Sequence, residues 1–253
     1  MSRLTDSPML VFVLSLLVFW LCAQLGAALR RKQEAHGAHA PEAFGIVLTA
    51  SLTLLGLIVG FTFSMAVSRY DQRKNYEAEE ANAIGTEYVR TGLLPANDAA
   101  ATRVLLRSYL EQRIRLYQAH DEERRVELRQ RITELEQQLW DAVQNAALAQ
   151  PSALTALAAA GMNDVLNSQS YTQAAWWNRI PSAAWLLLWL IALSCNVMVG
   201  YAAPGATVRS LLLLILPVLL AIAFLLIADI DSPRGGVIRV SAQNLLSLSE
   251  QLH

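Results

Sequence analysis

The chain reads as an all-α integral membrane protein, with four transmembrane helices and a helical cytoplasmic domain inserted between the second and third. Two observations predict this. Four apolar runs, Met9–Leu29, Gly45–Val67, Ala183–Ala203 and Leu211–Ala228, contain no Asp, Glu, Lys or Arg. Each has the roughly 17–25 residues that carry an α-helix across a bilayer's hydrocarbon. The charge is also segregated. Hydrophobic residues make up 54% of 253, yet residues 69–182 hold 13 of the 20 Lys/Arg and 15 of the 21 Asp/Glu. That stretch, at net −2, is too balanced for a nucleic-acid surface, so no nucleic-acid partner is expected.

The expected domains are a first transmembrane pair over 1–68, the helical cytoplasmic domain over 69–182, a second pair over 183–230, and a cytoplasmic tail over 231–253. Arg3 and the small residues of Ala23–Ala28 give the first run a signal-like look. Its 21 residues exceed the roughly 7–15 of a signal core, and Arg30, Arg31 and Lys32 follow, so it is read as a retained span. The second run has no stop at its inner end and reads on as helix through Val89. Thr91-Gly92-Leu93-Leu94-Pro95 should break it, with Gly92 as C-cap. Asn97 or Asp98 should cap the next helix. Leu128, Ile132, Leu135, Leu139 and Val143 then form a helical apolar seam. Gln118–Arg125 either interrupts the preceding helix or forms its solvated turn. Pro151 opens an Ala-rich helix that Gly161 can bend, Pro181 begins the third span, and Pro217 is placed to kink the fourth. The charges of the insert are read mostly as a solvated face.

Four spans put both termini and the insert on one side. That side carries Arg3, Arg69, Arg73, Lys74, Arg179, Arg234 and Arg239 near the membrane, against Arg30, Arg31, Lys32 and Arg209 on the other. The excess places termini and insert in the cytoplasm, in a bacterial inner membrane. Tyr70, Tyr76, Trp176, Trp177 and Tyr201 are the expected interfacial anchors.

Several chemistries find little footing. His36 and His39 have a spacing that suits a metal, but no Cys, Asp or second His pair supports them, and the expectation is a loop with no metal site. Glu79, Glu80 and Glu87 lack a pocket, a His or a phosphate loop beside them. No GxSxG, HExxH, P-loop or CxxC occurs, and no cofactor is implied. Cys22 and Cys195 lie inside apolar runs and are read as buried thiols rather than a disulfide.

The second span is more informative. Gly56 and Gly60 form a GxxxG pair suited to close helix packing. Thr53, Leu57 and Phe61, spaced by four, share a neighbouring stripe that suits a narrow apolar constriction. After the fourth span, Asp229 and Asp231 suit either a cation site or an interfacial cap before the Ser232-Pro233-Arg234-Gly235 turn.

Two of these places resemble the bestrophin superfamily. Val59–Tyr70, with Gly60-Phe61 and then Arg69-Tyr70, resembles the bestrophin segment with Gly-Phe at the end of the pore helix and Arg-Trp-Trp after it. Asp229-Ile230-Asp231-Ser232-Pro233-Arg234-Gly235 resembles the acidic Pro-x-Gly stretch after the last bestrophin span. Glu79–Pro95 (EEANAIGTEYVRTGLLP) and Asp229–Gln243 are similar to runs of the bacterial bestrophin-like domain family of unknown function, a resemblance that covers most of the chain. The resemblance to true bestrophins covers only the two short segments, Val59–Tyr70 and Asp229–Gly235, and it implies a pentameric ion channel with four spans, cytoplasmic termini and a neck on the second span. Carried over by position, that neck is Thr53, Leu57 and Phe61. Thr53 stands where the family has a bulky apolar residue, and Arg234 where it has Phe. The acidic calcium clasp of animal bestrophins is missing after Gly235, so calcium gating is not implied.

The expected function is thus an oligomeric ion channel with an apolar neck, with membrane lipid, inorganic ions and further copies of itself as partners. The neck has no charged ring, so ion selectivity is unassigned. The alternative is a non-conducting scaffold or signalling protein, with the Leu128–Val143 seam serving a partner or self-association. A membrane enzyme using Asp229 and Asp231 is the third reading.

Overall fold

The computed structural model describes residues 7–36, 43–203, 209–233 and 235–252, and among these described residues eight α-helices follow one another. No strand occurs among the described residues. The first apolar run becomes α1, Pro8–Ala35, with proline in the first turn, where a missing N–H costs nothing. His36 ends it. Its backbone N–H points to the Gln33 and Glu34 carbonyls, and its Nδ1 lies 2.7 Å from the Lys32 carbonyl oxygen. The proposed partner His39 lies outside the described residues.

The second run opens α2, Phe44–Arg90, a helix of 47 residues that carries on into polar sequence. Gly92 does not cap it. The helix tightens into a 3₁₀ turn, Thr91–Leu93, and the Leu94 N–H returns to the Thr91 carbonyl at 3.0 Å. Pro95 is the true stop, and it also precedes α3, Ala96–Gln118. Asn97 and Asp98 therefore lie inside the first turn of α3, where Asp98 meets the positive end of the helix dipole.

Gln118 closes α3, and the segment that follows is a genuine break. Asp121 caps α4, Glu122–Ala149, by accepting the Arg124 N–H at 3.3 Å. Ser152 and Thr155 form a reciprocal capping box on α5, Ala153–Trp177. Gly161 does not interrupt α5. Next come α6, Ser182–Ala202, after Pro181, and α7, Arg209–Asp231, which continues through Pro217. A final short helix, α8, covers Gln243–Gln251.

The helices divide between two compact units. One comprises the chain up to Tyr70 and Arg179–Arg239; the other comprises Asp71–Asn178 and Val240–His253. The first holds four helices long and apolar enough to cross a membrane, counting α2 by its leading half. Here α1 packs against α6 and α7. Phe19 of α1, Trp189 of α6 and Phe224 of α7 form a three-ring cluster with centroids 5.1 Å apart, and Trp185 joins its edge. Gly26 and Gly200 bring α1 and α6 closer still. A Cβ on Gly26 would overlap the Val197 carbonyl, and one on Gly200 would overlap the backbone of Ala23. The outward surface, including Met9, Val13, Leu17, Leu190 and Leu219, is apolar and exposed, as lipid requires.

The second unit has a hydrophobic core of its own. The seam Leu128, Ile132, Leu135, Leu139 and Val143 is buried there against Leu106, Leu110 and Met162. It is spent on the unit's own interior. Trp176 is buried as well, edge-on to Tyr117 with centroids 5.0 Å apart, so of the two tryptophans only Trp177 is an exposed ring.

The solvated-face expectation fails for a group of charges in this unit. Glu77, Glu80, Glu87 and Arg113 are fully buried. Arg113 grips Glu80 with two guanidinium nitrogens, and the Thr172 hydroxyl donates to Glu80 Oε2 at 3.0 Å. Burial opposes the Arg113 charge, but Glu80 beside it holds the guanidinium's pKa above its ordinary value. Glu77 serves α8. Its carboxylate accepts the backbone N–H of Asn244 at 2.9 Å and of Leu245 at 3.1 Å, plus the Asn244 amide. These donors lie at the positive end of a helix, a natural seat for an anion.

Candidate functional site: the uncovered face of the second span

The four spans are covered very unequally within the chain. Only 6% of the span window in α2 is buried, against 50% in α7. What α2 does bury is a narrow strip. Leu55, Thr62 and Ala66 are buried, and Leu52, Ile58, Val59, Val67 and Tyr70 are partly covered. The opposite side of the same helix is open.

The sequence-predicted residues all lie on that open side. Thr53 is exposed, Leu57 is 52% exposed and Phe61 is 61% exposed. Gly56 and Gly60 share the open arc, and a Cβ on either would meet nothing within 4 Å. Among the described residues, the pair therefore packs against no other helix of its chain. Thr49 and Thr53 keep their hydroxyls satisfied by donating to the Gly45 and Thr49 carbonyls, each at 2.9 Å. This back-bonding lets a hydroxyl sit on an uncovered helix without an unpaired donor.

Asp229 and Asp231 are placed differently. Asp229 accepts the Val237 N–H on Oδ1 and the Ile238 N–H on Oδ2, both at 2.8 Å. Asp231 Oδ1 accepts the Ile180 N–H at 3.0 Å. Ser232 Oγ accepts the Gly235 N–H at 2.9 Å. Gly236 is required here, because a Cβ would lie 2.7 Å from the Asp229 carboxyl carbon. The carboxylates act as staples for the turn after α7 and for the approach to α6. Arg234, the other departure noted in this turn, lies outside the described residues. Among the described residues, no three of His, Cys, Asp and Glu gather as a metal site. Cys22 and Cys195 are free thiols.

Sequence reasoning missed Gly26 and Gly200, the Phe19–Trp189–Phe224 cluster, and the Glu77 and Glu80 anchors. One signal was available: Ala23, Gly26 and Ala27 are small residues at helical spacing in the first span. The partner position in the third span carried no comparable mark.

No curated protein matches this sequence. Solved structures do match in fold. A crystal structure of a bacterial bestrophin homologue from Klebsiella pneumoniae, phased by zinc anomalous scattering, superposes with a TM-score of 0.65 at 16% identity, covering 94% of this chain and 98% of that one. Two mutant forms of a Klebsiella pneumoniae bestrophin homologue give TM-scores of 0.67 and 0.69 at 16% and 14% identity. They cover 95% of this chain and 99% and 97% of theirs. The bestrophin-like domain model matches residues 9–245. All-helical, with four candidate spans and matched over nearly its whole length, this membrane protein belongs to the bestrophin-like family.

Proposed function

We propose that the chain is one protomer of an oligomeric ion channel, a pentamer by family resemblance, in which the open face of α2 turns toward a shared axis. Leu57 and Phe61 form an apolar neck, Thr53 wets its rim, and the barrier to ions is the cost of drawing water through that constriction. Gly56 and Gly60 allow a neighbouring protomer to approach α2 closely. In this reading the termini and the polar helical unit belong to the cytoplasmic side of a bacterial inner membrane, an orientation that the excess of basic flanking residues supports. The neck has no charged side chain, so the choice between anions and cations is left unassigned.

The observation that carries this reading is the asymmetry of α2. Three spans bury their faces against one another, while the second leaves glycines, threonines and a Phe uncovered at regular spacing. The scaffold alternative relied on the Leu128–Val143 seam, which is buried inside the chain. The enzyme alternative relied on Asp229 and Asp231, whose carboxylates accept backbone amides of Val237, Ile238 and Ile180.

The mass of the purified complex in mild detergent is the first test. A monomer or dimer has no central axis to line and overturns the proposal. A ring is then reconstituted in liposomes for flux measurement. Phe61→Ala is expected to change the current, and an unaltered current would remove Phe61 from the neck.

A further inference from the structure

Glu77, Glu80 and Glu87 are buried carboxylates on α2. Glu77 receives helix amides and Glu80 receives Arg113 and Thr172. Although Arg90 of its own helix acts on it, Glu87 accepts no such hydrogen bond. It is 0% exposed, and neither of its oxygens has a hydrogen-bond partner. A buried anion stripped of water and given no donor is costly, and such groups take up a proton instead.

The surroundings point the same way. Gly161 of α5 faces the carboxyl so closely that a Cβ there would overlap Glu87 Oε2. The charged groups acting on Glu87 are Arg90 of its own helix and Asp164 of α5. Arg90 is shared, because its Nη1 lies 3.8 Å from Asp164 Oδ2. Burial pushes the Glu87 carboxyl from an ordinary 4.5 up to about 8; Arg90 pulls it down and Asp164 pushes it up.

We propose that Glu87 is a proton-binding site: a neutral carboxyl there seats α2 against α5 at Gly161, and loss of the proton in alkaline surroundings loosens that contact. The sign follows from linkage. Between 4.5 and about 8 the folded chain holds a proton that the unfolded chain has released, so stability falls as pH rises through this window. Above about 8 the penalty is complete and the curve levels. This device needs no ion conduction, and its test does not measure any.

Infrared spectra of the intact protein in detergent should show a protonated-carboxyl band that titrates with a midpoint of about 8 and is missing from Glu87→Gln. Thermal unfolding of the wild type should shift downward with pH across the same window, while Glu87→Gln stays flatter. Gly161→Ala would crowd both Glu87 Oε2 and the Arg90 guanidinium and should shift the midpoint away from the wild-type value. Should Glu87→Gln fail to fold, the wild-type band and its midpoint decide alone. A wild-type spectrum with no titrating protonated band, or an identical band in Glu87→Gln, overturns the proposal.

Discussion

Gly26 and Gly200 occupy one kind of place; Gly56 and Gly60 occupy another. At the first pair two helix backbones come so close that no side chain fits between them. At the second pair there is nothing within 4 Å. The contrast shows that the spacing of small residues along one helix does not reveal what they touch. The GxxxG pair is conspicuous because both members share a span. The crossing that actually knits the bundle takes one glycine from the first span and one from the third, and neither stands out alone.

The largest effect is expected where the backbones touch. Gly26→Leu or Gly200→Leu should cost about 3 kcal/mol or more, because the clashing atoms belong to a neighbouring main chain that cannot swing away. Loss of folded protein on purification, or a collapsed unfolding midpoint, is the readout. Gly26→Ala should cost about 1–3 kcal/mol by the same overpacking. Gly56→Ala should cost nothing and gain up to about 1 kcal/mol from helix propensity. Matching losses for these two alanine variants would erase the distinction between the pairs. The smallest effect on the single protomer belongs to Gly60→Leu, within about 0.5 kcal/mol, as for any uncovered position. Its consequence should appear between copies, as a smaller share of oligomer by mass. An intact oligomer would mean that Gly60 meets lipid or the central axis rather than a neighbouring protomer.

The spans were legible because lipid imposes a blunt rule on them: about 20 residues without charge. The end of α2 was legible for a similar reason, since Pro95 cannot continue a helix. The seam Leu128–Val143 was readable as a stripe, but its use was not, because a stripe looks the same whether it faces its own domain or a partner. The Thr53–Leu57–Phe61 stripe was found by spacing and resemblance, and the structure adds that its own chain leaves it open. Buried charge was the least readable feature. Glu80, Arg113 and Thr172 come from three helices, and nothing local marks Glu80 as paired and Glu87 as unpaired. Their difference lies in which groups the fold carries to them.

The seating of α8 on Glu77 bears on how this protein can be handled. Clipping the chain ahead of Asn244, by protease or by a stop codon, would strand a negative charge in a dry interior with its amide ligands gone. The carboxy-terminal segment is therefore a plug and not trimmable slack, and affinity handles or fluorescent fusions placed there should leave Gln243–Gln251 untouched.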